Sequence, residues 1–223
     1  MKPLSVGARD ISLDDLQQMV NTAYAKCERS LFQELNPNID FTPILPKAPV
    51  TLKPAAVMIP IIAHRKEPTI LLTVRSRKMP DHAGEISFPG GGPKPEDQDL
   101  IATALRETHE EVGIAPHHIE VLGTFGNHTG GRGFLITPVV GLITPPVEIN
   151  PCPREVEEVF EVPLFHLLDL NNHIIEERVA RDIPYRMFAV PYGDGIERRH
   201  IWGLTAGILH TLAKAYDDVI KRS

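Results

Sequence analysis

Three glutamates in the middle of the chain have the spacing of a metal site. Glu107, Glu110 and Glu111 lie close together in one polar stretch. On a helix with about 3.6 residues per turn they project within an arc of about 100°, so the three carboxylates share one face. Like charges this close repel one another unless cations lie between them, and carboxylate oxygens suit Mg²⁺ or Mn²⁺. The spacing therefore predicts a divalent-metal site.

A helix over residues 99–112 must position these carboxylates. Its apolar side consists of Ile101, Leu105, Thr108 and Val112. We expect that side to pack into a core while the acidic side stays open to solvent. Arg106 is the candidate orienting residue, because a guanidinium can hold an acidic side chain of the same stretch by charge-assisted hydrogen bonds.

The stretch from Gly90 to Ile114 resembles the Nudix box. The residues at the pattern's fixed positions are Arg106, Glu107, Glu110, Glu111, Gly113 and Ile114. The first acid of the pattern falls on Gln98 or on Asp97, depending on the glycine from which the spacing is counted, and Thr108 replaces a larger apolar residue. The resemblance implies an α/β Nudix fold, in which a mixed β-sheet is sandwiched between helices. It also implies a pyrophosphohydrolase that uses Mg²⁺ or Mn²⁺ bound by the three glutamates.

A narrower resemblance lies upstream of the box. The segments Leu71–Ser76 and His82–Gly91 resemble the coenzyme A pyrophosphatase branch of the Nudix family, and Pro80 stands where that branch has an arginine. The likeness extends over about residues 50–215. It implies hydrolysis of coenzyme A or acyl-CoA to 3′-phosphoadenosine 5′-phosphate and 4′-phosphopantetheine or its acyl derivative. Because of Pro80, NADH, ADP-ribose and nucleoside triphosphates remain alternative substrates, and a silent nucleotide-binding module is a further alternative.

Basic residues next to the branch motif are candidate substrate contacts. Arg75 ends an apolar segment, and its planar guanidinium suits phosphate oxygens, although a structural ion pair is the alternative. Arg77 and Lys78 follow in a segment expected to be an exposed loop. The general base is either Glu111, acting through a bound water, or a carboxylate from the segment Glu155–Glu158, with Glu158 preferred.

The composition limits the class of protein. The chain has 223 residues, a net charge of −6 and a pI near 5.9, which argues against nucleic-acid binding and favours a small-molecule substrate. Two cysteines are too few for a disulfide framework and favour a reducing, cytoplasmic location. No apolar run has the length of a membrane span or signal peptide. The sequence leaves open whether the protein forms a homodimer.

The remaining chain is predicted to form one domain with an extension. We expect residues 1–49 to form an amphipathic helix, with apolar residues from Leu13 to Leu31, and a Pro-rich linker, and residues 50–223 to form the Nudix domain. The helix is expected to cover its own domain, with a partner chain as the alternative. Strands are predicted at residues 55–63, 69–75, 119–124, 134–142 and 186–190, and helices at 163–170 and 202–220.

Overall fold

The computed structural model describes residues 4–6, 9–26, 31–39, 51–130, 133–180, 182–195 and 198–221. Most of the predicted Pro-rich linker therefore lies outside the described residues. The strands are β1 (Leu4–Val6), β2 (Arg9–Ile11), β3 (Lys53–Ile62), β4 (Thr69–Arg75), β5 (Ile86–Ser87), β6 (Gly90–Gly91), β7 (Ile119–Thr124), β8 (His128–Gly130), β9 (Phe134–Ile143), β10 (Val156–Pro163), β11 (Ile174–Ala180), β12 (Ile183–Tyr192) and β13 (Arg199–Trp202). The helices are α1 (Leu13–Lys26), α2 (Leu31–Leu35), α3 (Leu100–Val112), α4 (Leu164–Leu168) and α5 (Gly203–Ile220).

The central sheet is mixed and has eight strands. Its main path runs β10-β4-β3-β9-β7, while β5, β6 and β8 pair with β4, β3 and β9. The predicted hairpin is present, because β3 and β4 pair antiparallel with Ile61 opposite Ile70. Strands β3 and β9 pair in parallel over their full length. Both strands are rich in buried aliphatic residues, as expected for strands covered on two faces.

Helices cover both faces of this sheet. Alternate residues of β3 point into two separate cores: Ile59 and Ile61 pack in the larger one, and Met58 and Ile62 in the smaller one. The larger core also contains buried residues of α1, α4 and α5. The smaller core contains Ala104 and the rest of the inner side of α3. This confirms the predicted sheet between helices.

The N-terminal helix packs on its own chain, as expected. It begins after Ser12, whose hydroxyl accepts a hydrogen bond from the Asp15 N–H at 3.0 Å, while the Asp15 carboxylate accepts one from the Ser12 N–H at 2.8 Å. Such reciprocal caps favour helix initiation. Leu16 and Met19 are fully buried in the larger core. The helix is described as far as Lys26, and Leu31 begins α2. Residues 27–30 lie outside the described residues, so the continuation of the helix to Leu31 stays a prediction. The domain division at residue 49 stays a prediction.

A second sheet was not predicted as such. Strands β11, β12 and β13 form an antiparallel three-stranded sheet, of which the sequence indicated only residues 186–190. Strand β11 has the sequence IIEERVA, which lacks the apolar alternation of a half-buried strand. Strand β10 was missed because glutamates interrupt its apolar residues. In the described part of the chain, no helix is both long and apolar enough to cross a membrane.

Candidate active site

Helix α3 is fixed at both ends. The Asp99 carboxylate accepts a hydrogen bond from the Ala102 N–H at 2.7 Å and caps the first turn. At the other end Gly113 has φ 79°, a left-handed conformation that favours glycine, and its N–H donates to the His109 carbonyl. The fixed Gly of the motif is therefore the helix stop. Both caps hold the glutamates in register against the sheet.

A glycine strand lets the helix approach the sheet closely. Gly90 and Gly91 form β6, which pairs with Val57 and Ala56 of β3. A Cβ atom on Gly91 would lie 2.7 Å from the Glu107 carboxylate, so any larger residue would displace that carboxylate from its place. The Phe-Pro-Gly-Gly segment is thus part of the site: it forms the wall against which Glu107 rests.

Arg106 connects the acidic residues of the motif. Its Nε and Nη2 donate to the two Asp97 oxygens, each at 2.9 Å, and Nη2 also donates to the Gly92 carbonyl at 3.0 Å. Its Nη1 donates to Glu107 at 2.7 Å and to Glu110 at 3.0 Å. These bonds use all five N–H donors of the guanidinium.

Asp97 is the first acid of the motif in three dimensions. Hydrogen bonds from Arg106, followed by the Lys94 N–H, hold the pKa of the Asp97 carboxyl well below its usual range. Of the two positions that the sequence left open, Asp97 and not Gln98 supports the helix start, because the Asp97 carboxylate accepts hydrogen bonds from Thr103 in the first turn and from Arg106. The same network raises the pKa of Arg106, chiefly through Asp97. Arg106 thus donates hydrogen bonds to three acidic side chains, those of Asp97, Glu107 and Glu110, and its orienting role in catalysis stays a prediction.

Lys94 is a member of the site that the sequence did not indicate. Its Nζ donates to both oxygens of Glu110, at 2.8 and 3.0 Å. The Lys94 hydrogen bond, with a smaller contribution from Arg106, lowers the pKa of Glu110. No spacing rule links a loop lysine to a residue 16 positions later, so only the fold brings the two together.

Glu111 is buried, which corrects the expectation of an open acidic face. Its side chain is only 4% exposed, whereas Glu110 is 39% exposed. The Glu111 carboxylate lies against Arg75 of β4 and accepts a hydrogen bond from the Gly90 N–H of β6, so it faces the sheet. Residues 150–152 cover the end of the same helix, where the Asn150 and Cys152 N–H groups donate to the Val112 and Glu111 carbonyls at 2.8 and 2.9 Å. Burial raises the pKa of Glu111 to about 8. Arg75 opposes this rise, whereas Glu107 and Glu155 add to it.

Arg75 joins the upstream motif to the box. It is the last residue of β4, and its Nη1 lies 3.8 Å from the nearest Glu111 oxygen. The distance is long for a hydrogen bond, so the contact is an ion pair. The buried Nε of Arg75 has no hydrogen-bond partner. The structural ion pair considered for Arg75 is thus present, and one donor of its guanidinium is left over.

The other predicted residues lie around this centre. Arg77 is 83% exposed and forms an ion pair with Glu157 at 3.5 Å, and the Lys78 side chain is exposed. Glu158 forms a two-pronged ion pair with Arg199, with one contact of 2.9 Å, and Arg199 stacks over Phe160. Glu155, a less preferred candidate base of the same segment, is among the charges that raise the pKa of Glu111. The assignments of these residues stay predictions.

The donor set fits a hard divalent cation. Carboxylate oxygens are its preferred ligands, and Glu111, whose charged form is disfavoured by burial, would be stabilised as a carboxylate by a nearby cation. In the described part of the chain, no three His, Cys, Asp or Glu side chains converge as a metal-binding group. Arg106 and Lys94 instead hold the Glu107 and Glu110 oxygens. A cation would therefore compete with these two basic side chains.

Comparison with known proteins assigns the family. The family model for the NUDIX domain matches residues 52–183. The uncharacterized Nudix hydrolase NudL of Photorhabdus laumondii is 42% identical over 72% of this chain and 83% of its own length. A NudL of Shigella flexneri is 39% identical over 82% of this chain and 90% of its own. A MutT/nudix family protein from Enterococcus faecalis superposes with a TM-score of 0.47 at 17% identity, over 96% of this chain and 76% of that structure. Members of the family generally use divalent cations. With its box residues assembled around α3, the chain belongs to the Nudix family and is a Nudix pyrophosphohydrolase.

Proposed function

We propose that the protein hydrolyses the pyrophosphate bond of coenzyme A or acyl-CoA with Mg²⁺ or Mn²⁺. The observation that carries this proposal is the 3.8 Å contact between Arg75 and Glu111. It joins the arginine of the coenzyme A branch motif to the last glutamate of the Nudix box. The products are 3′-phosphoadenosine 5′-phosphate and 4′-phosphopantetheine or its acyl derivative. The reaction adds one water molecule across a P–O–P bond.

Glu107, Glu110 and Glu111 are the proposed metal ligands. The divalent cation supplies positive charge that offsets the repulsion between pyrophosphate oxygens and an incoming water. Arg106 keeps Glu107 and Glu110 in place through its bond to Asp97. Gly90 and Gly91 keep the wall of the site free of side chains. This arrangement orients the substrate-binding groups before the substrate arrives, which lowers the cost of reorganisation during the reaction.

A carboxylate accepts the proton of the attacking water. Glu158 is the remote candidate, and its partner Arg199 would have to release it. Glu111 itself and Glu155, whose charge acts on Glu111, are the alternatives. A glutamate with a pKa near 8 is mostly protonated at neutral pH and therefore cannot accept a further proton. Glu111 could act as the base only if a bound cation kept it ionised.

Basic side chains beside the box contact the substrate phosphates. The guanidinium of Arg75, whose side chain is 22% exposed, is one donor for the pyrophosphate. Arg77 and Lys78 lie in the loop that follows β4, just after Arg75. Both are exposed, so they can contact the 3′-phosphate of coenzyme A. A charge-assisted contact of this kind contributes about 1.5–3 kcal/mol.

A substrate panel tests the proposal. The purified protein with Mg²⁺ or Mn²⁺ is given coenzyme A, dephospho-coenzyme A, NADH, ADP-ribose and nucleoside triphosphates, and kcat/KM is measured for each. We expect coenzyme A to exceed its dephospho form by about tenfold or more, and Arg77→Ala or Lys78→Ala to erase the difference. The matched control is Lys66→Ala, since Lys66 is exposed in the turn between β3 and β4. Equal efficiency on both compounds, or a preference for NADH or ADP-ribose, would refute the coenzyme A assignment while leaving the Nudix hydrolase in place.

A further inference from the structure

Strand β11 exposes large apolar side chains along the edge of the three-stranded sheet. Ile174, Ile175 and Val179 are 41%, 54% and 69% exposed. They are three of the seven large hydrophobic residues that are exposed in the described part of the chain, and the other four lie in helices or connecting segments. Burying such a group of side chains against another surface is favourable.

The strand also presents a free backbone edge. Among the described residues, β11 pairs with β12 on one side and with no strand on the other. Proteins usually protect such an edge with a bulge, a proline or charged side chains, above all lysine. The sequence IIEERVA has no proline or lysine and pairs with β12 without a register shift, and its three charged residues are two glutamates and one arginine. The hairpin closes at the pair Ala180 and Ile183, which two residues connect. By the alternation of antiparallel pairs, Ile175, Glu177 and Val179 then direct their N–H and C=O groups outward.

We propose that β11 pairs antiparallel with β11 of a second copy of this chain, so that two three-stranded sheets become one of six strands. In a two-fold arrangement one residue must lie opposite its own copy. Only Glu177 at that position allows all seven residues of β11 to pair. Ile175 then lies opposite Val179 of the partner subunit, and Glu176 opposite Arg178 of the partner subunit.

The charges on the strand are complementary in this register. Glu176 and Arg178 lie on one face, where they form an ion pair of 2.9 Å within the chain. Two such pairs facing each other place each acid opposite a base, which stabilises cross-strand neighbours. The two copies of Glu177 meet on the other face, but each has Arg186 beside it on β12 at 3.3 Å. The basic neighbours offset that repulsion.

Sedimentation velocity of the full chain over a concentration series tests the partner. A monomer has a mass of 24.8 kDa. As the protein concentration rises to about 100 µM, we expect the sedimenting species to reach twice that mass, because dimerisation follows mass action. Val179→Lys places a charge on an exposed position of the edge and should weaken the dimer by about tenfold or more. The control Ile220→Lys changes another exposed apolar residue, 51% exposed at the end of α5, and should leave the dimer intact. A monomer throughout the series, or a dimer unaffected by Val179→Lys, overturns the proposal.

Single cysteines test the register. With Cys27 and Cys152 replaced by serine, Glu177→Cys places two thiols opposite each other, with Cα atoms about 5.5 Å apart, within the range for a disulfide. Val179→Cys places them about 14 Å apart, because four residues then separate them along the strand. Mild oxidation should link the first variant covalently and leave the second unlinked. Linkage of Val179→Cys but not Glu177→Cys would contradict the pairing. Neither result depends on the proposed substrate, because neither experiment involves turnover.

Discussion

Replacing Glu111 with glutamine should separate catalysis from folding. The carboxyl is buried, and its pKa is raised from 4.5 to about 8, mainly by burial. A folded-state pKa above the unfolded value means that stability is complete below pH 4.5 and declines as the pH rises towards 8. At about 1.4 kcal/mol for each pH unit, the ionisation of Glu111 in the unfolded chain lowers the free energy of unfolding of the metal-free protein by up to about 3 kcal/mol at pH 7.

Glutamine has nearly the same shape and no charge, so the metal-free Glu111→Gln variant should be more stable than the wild type at pH 7 and closer to it at pH 5. Turnover should nevertheless fall by about 10²-fold or more, because a metal ligand is lost. Urea unfolding in EDTA at the two pH values, together with kcat at saturating Mg²⁺, measures both effects. Glu110→Gln is the matched control: Lys94 lowers the pKa of Glu110, so this variant should gain no stability. If Glu111→Gln is less stable than the wild type at pH 7, burial of this carboxyl does not destabilise the metal-free protein. If the variant is as active as the wild type, Glu111 is not a metal ligand.

Three further predictions concern single side chains. Lys94→Met should tighten Mn²⁺ binding measured by calorimetry, because the Lys94 Nζ holds both oxygens of Glu110 and would compete with the cation. The control Lys66→Met, at an exposed position, should leave Mn²⁺ affinity unchanged, and weaker binding by Lys94→Met would contradict the competition. If Glu158 is the general base, Glu158→Gln should lower kcat by about 10²-fold with little change in Mn²⁺ affinity. If the pH–rate profile is instead unchanged in Glu158→Gln and altered in Glu155→Gln, the base is Glu155. Burial lowers the pKa of His128 from 6.5 to about 4, so the free energy of unfolding should fall by up to about 3 kcal/mol as the pH drops from 6.5 to 4. His128→Gln should make the free energy of unfolding less dependent on pH in this range. An equally steep pH dependence in the variant would exclude His128 as the cause.

The parts of the site that follow local rules were predictable. The helix over residues 99–112 and the side chains that meet on it follow from the 3.6-residue period, and so does the contact of Arg106 with Glu110 four residues later. The burial of Glu111 was not predictable, because it depends on β4 and β6, which bring Arg75 and the Gly90 N–H against its carboxylate. The contact between Lys94 and Glu110 likewise needs the folded loop.

The sheets show the same limit. Strands β3, β4, β7 and β9 are apolar runs between turns, and the sequence placed them close to their observed bounds. Strand β11 carries three charged residues among seven and is exposed along most of its length, so no hydrophobic pattern marks it. Its pairing with β12 is set by tertiary structure, which local propensity does not encode.

The central claim is that this Nudix enzyme splits coenzyme A at its pyrophosphate when a divalent cation is bound. The most direct measurement is mass spectrometry of the products formed from coenzyme A in ¹⁸O-labelled water, with Mg²⁺ and with EDTA. With Mg²⁺ we expect 3′-phosphoadenosine 5′-phosphate and 4′-phosphopantetheine in equal amounts, with one labelled oxygen on a phosphate of one product. In EDTA we expect no products. Intact coenzyme A under conditions in which the same preparation cleaves NADH or ADP-ribose would contradict it.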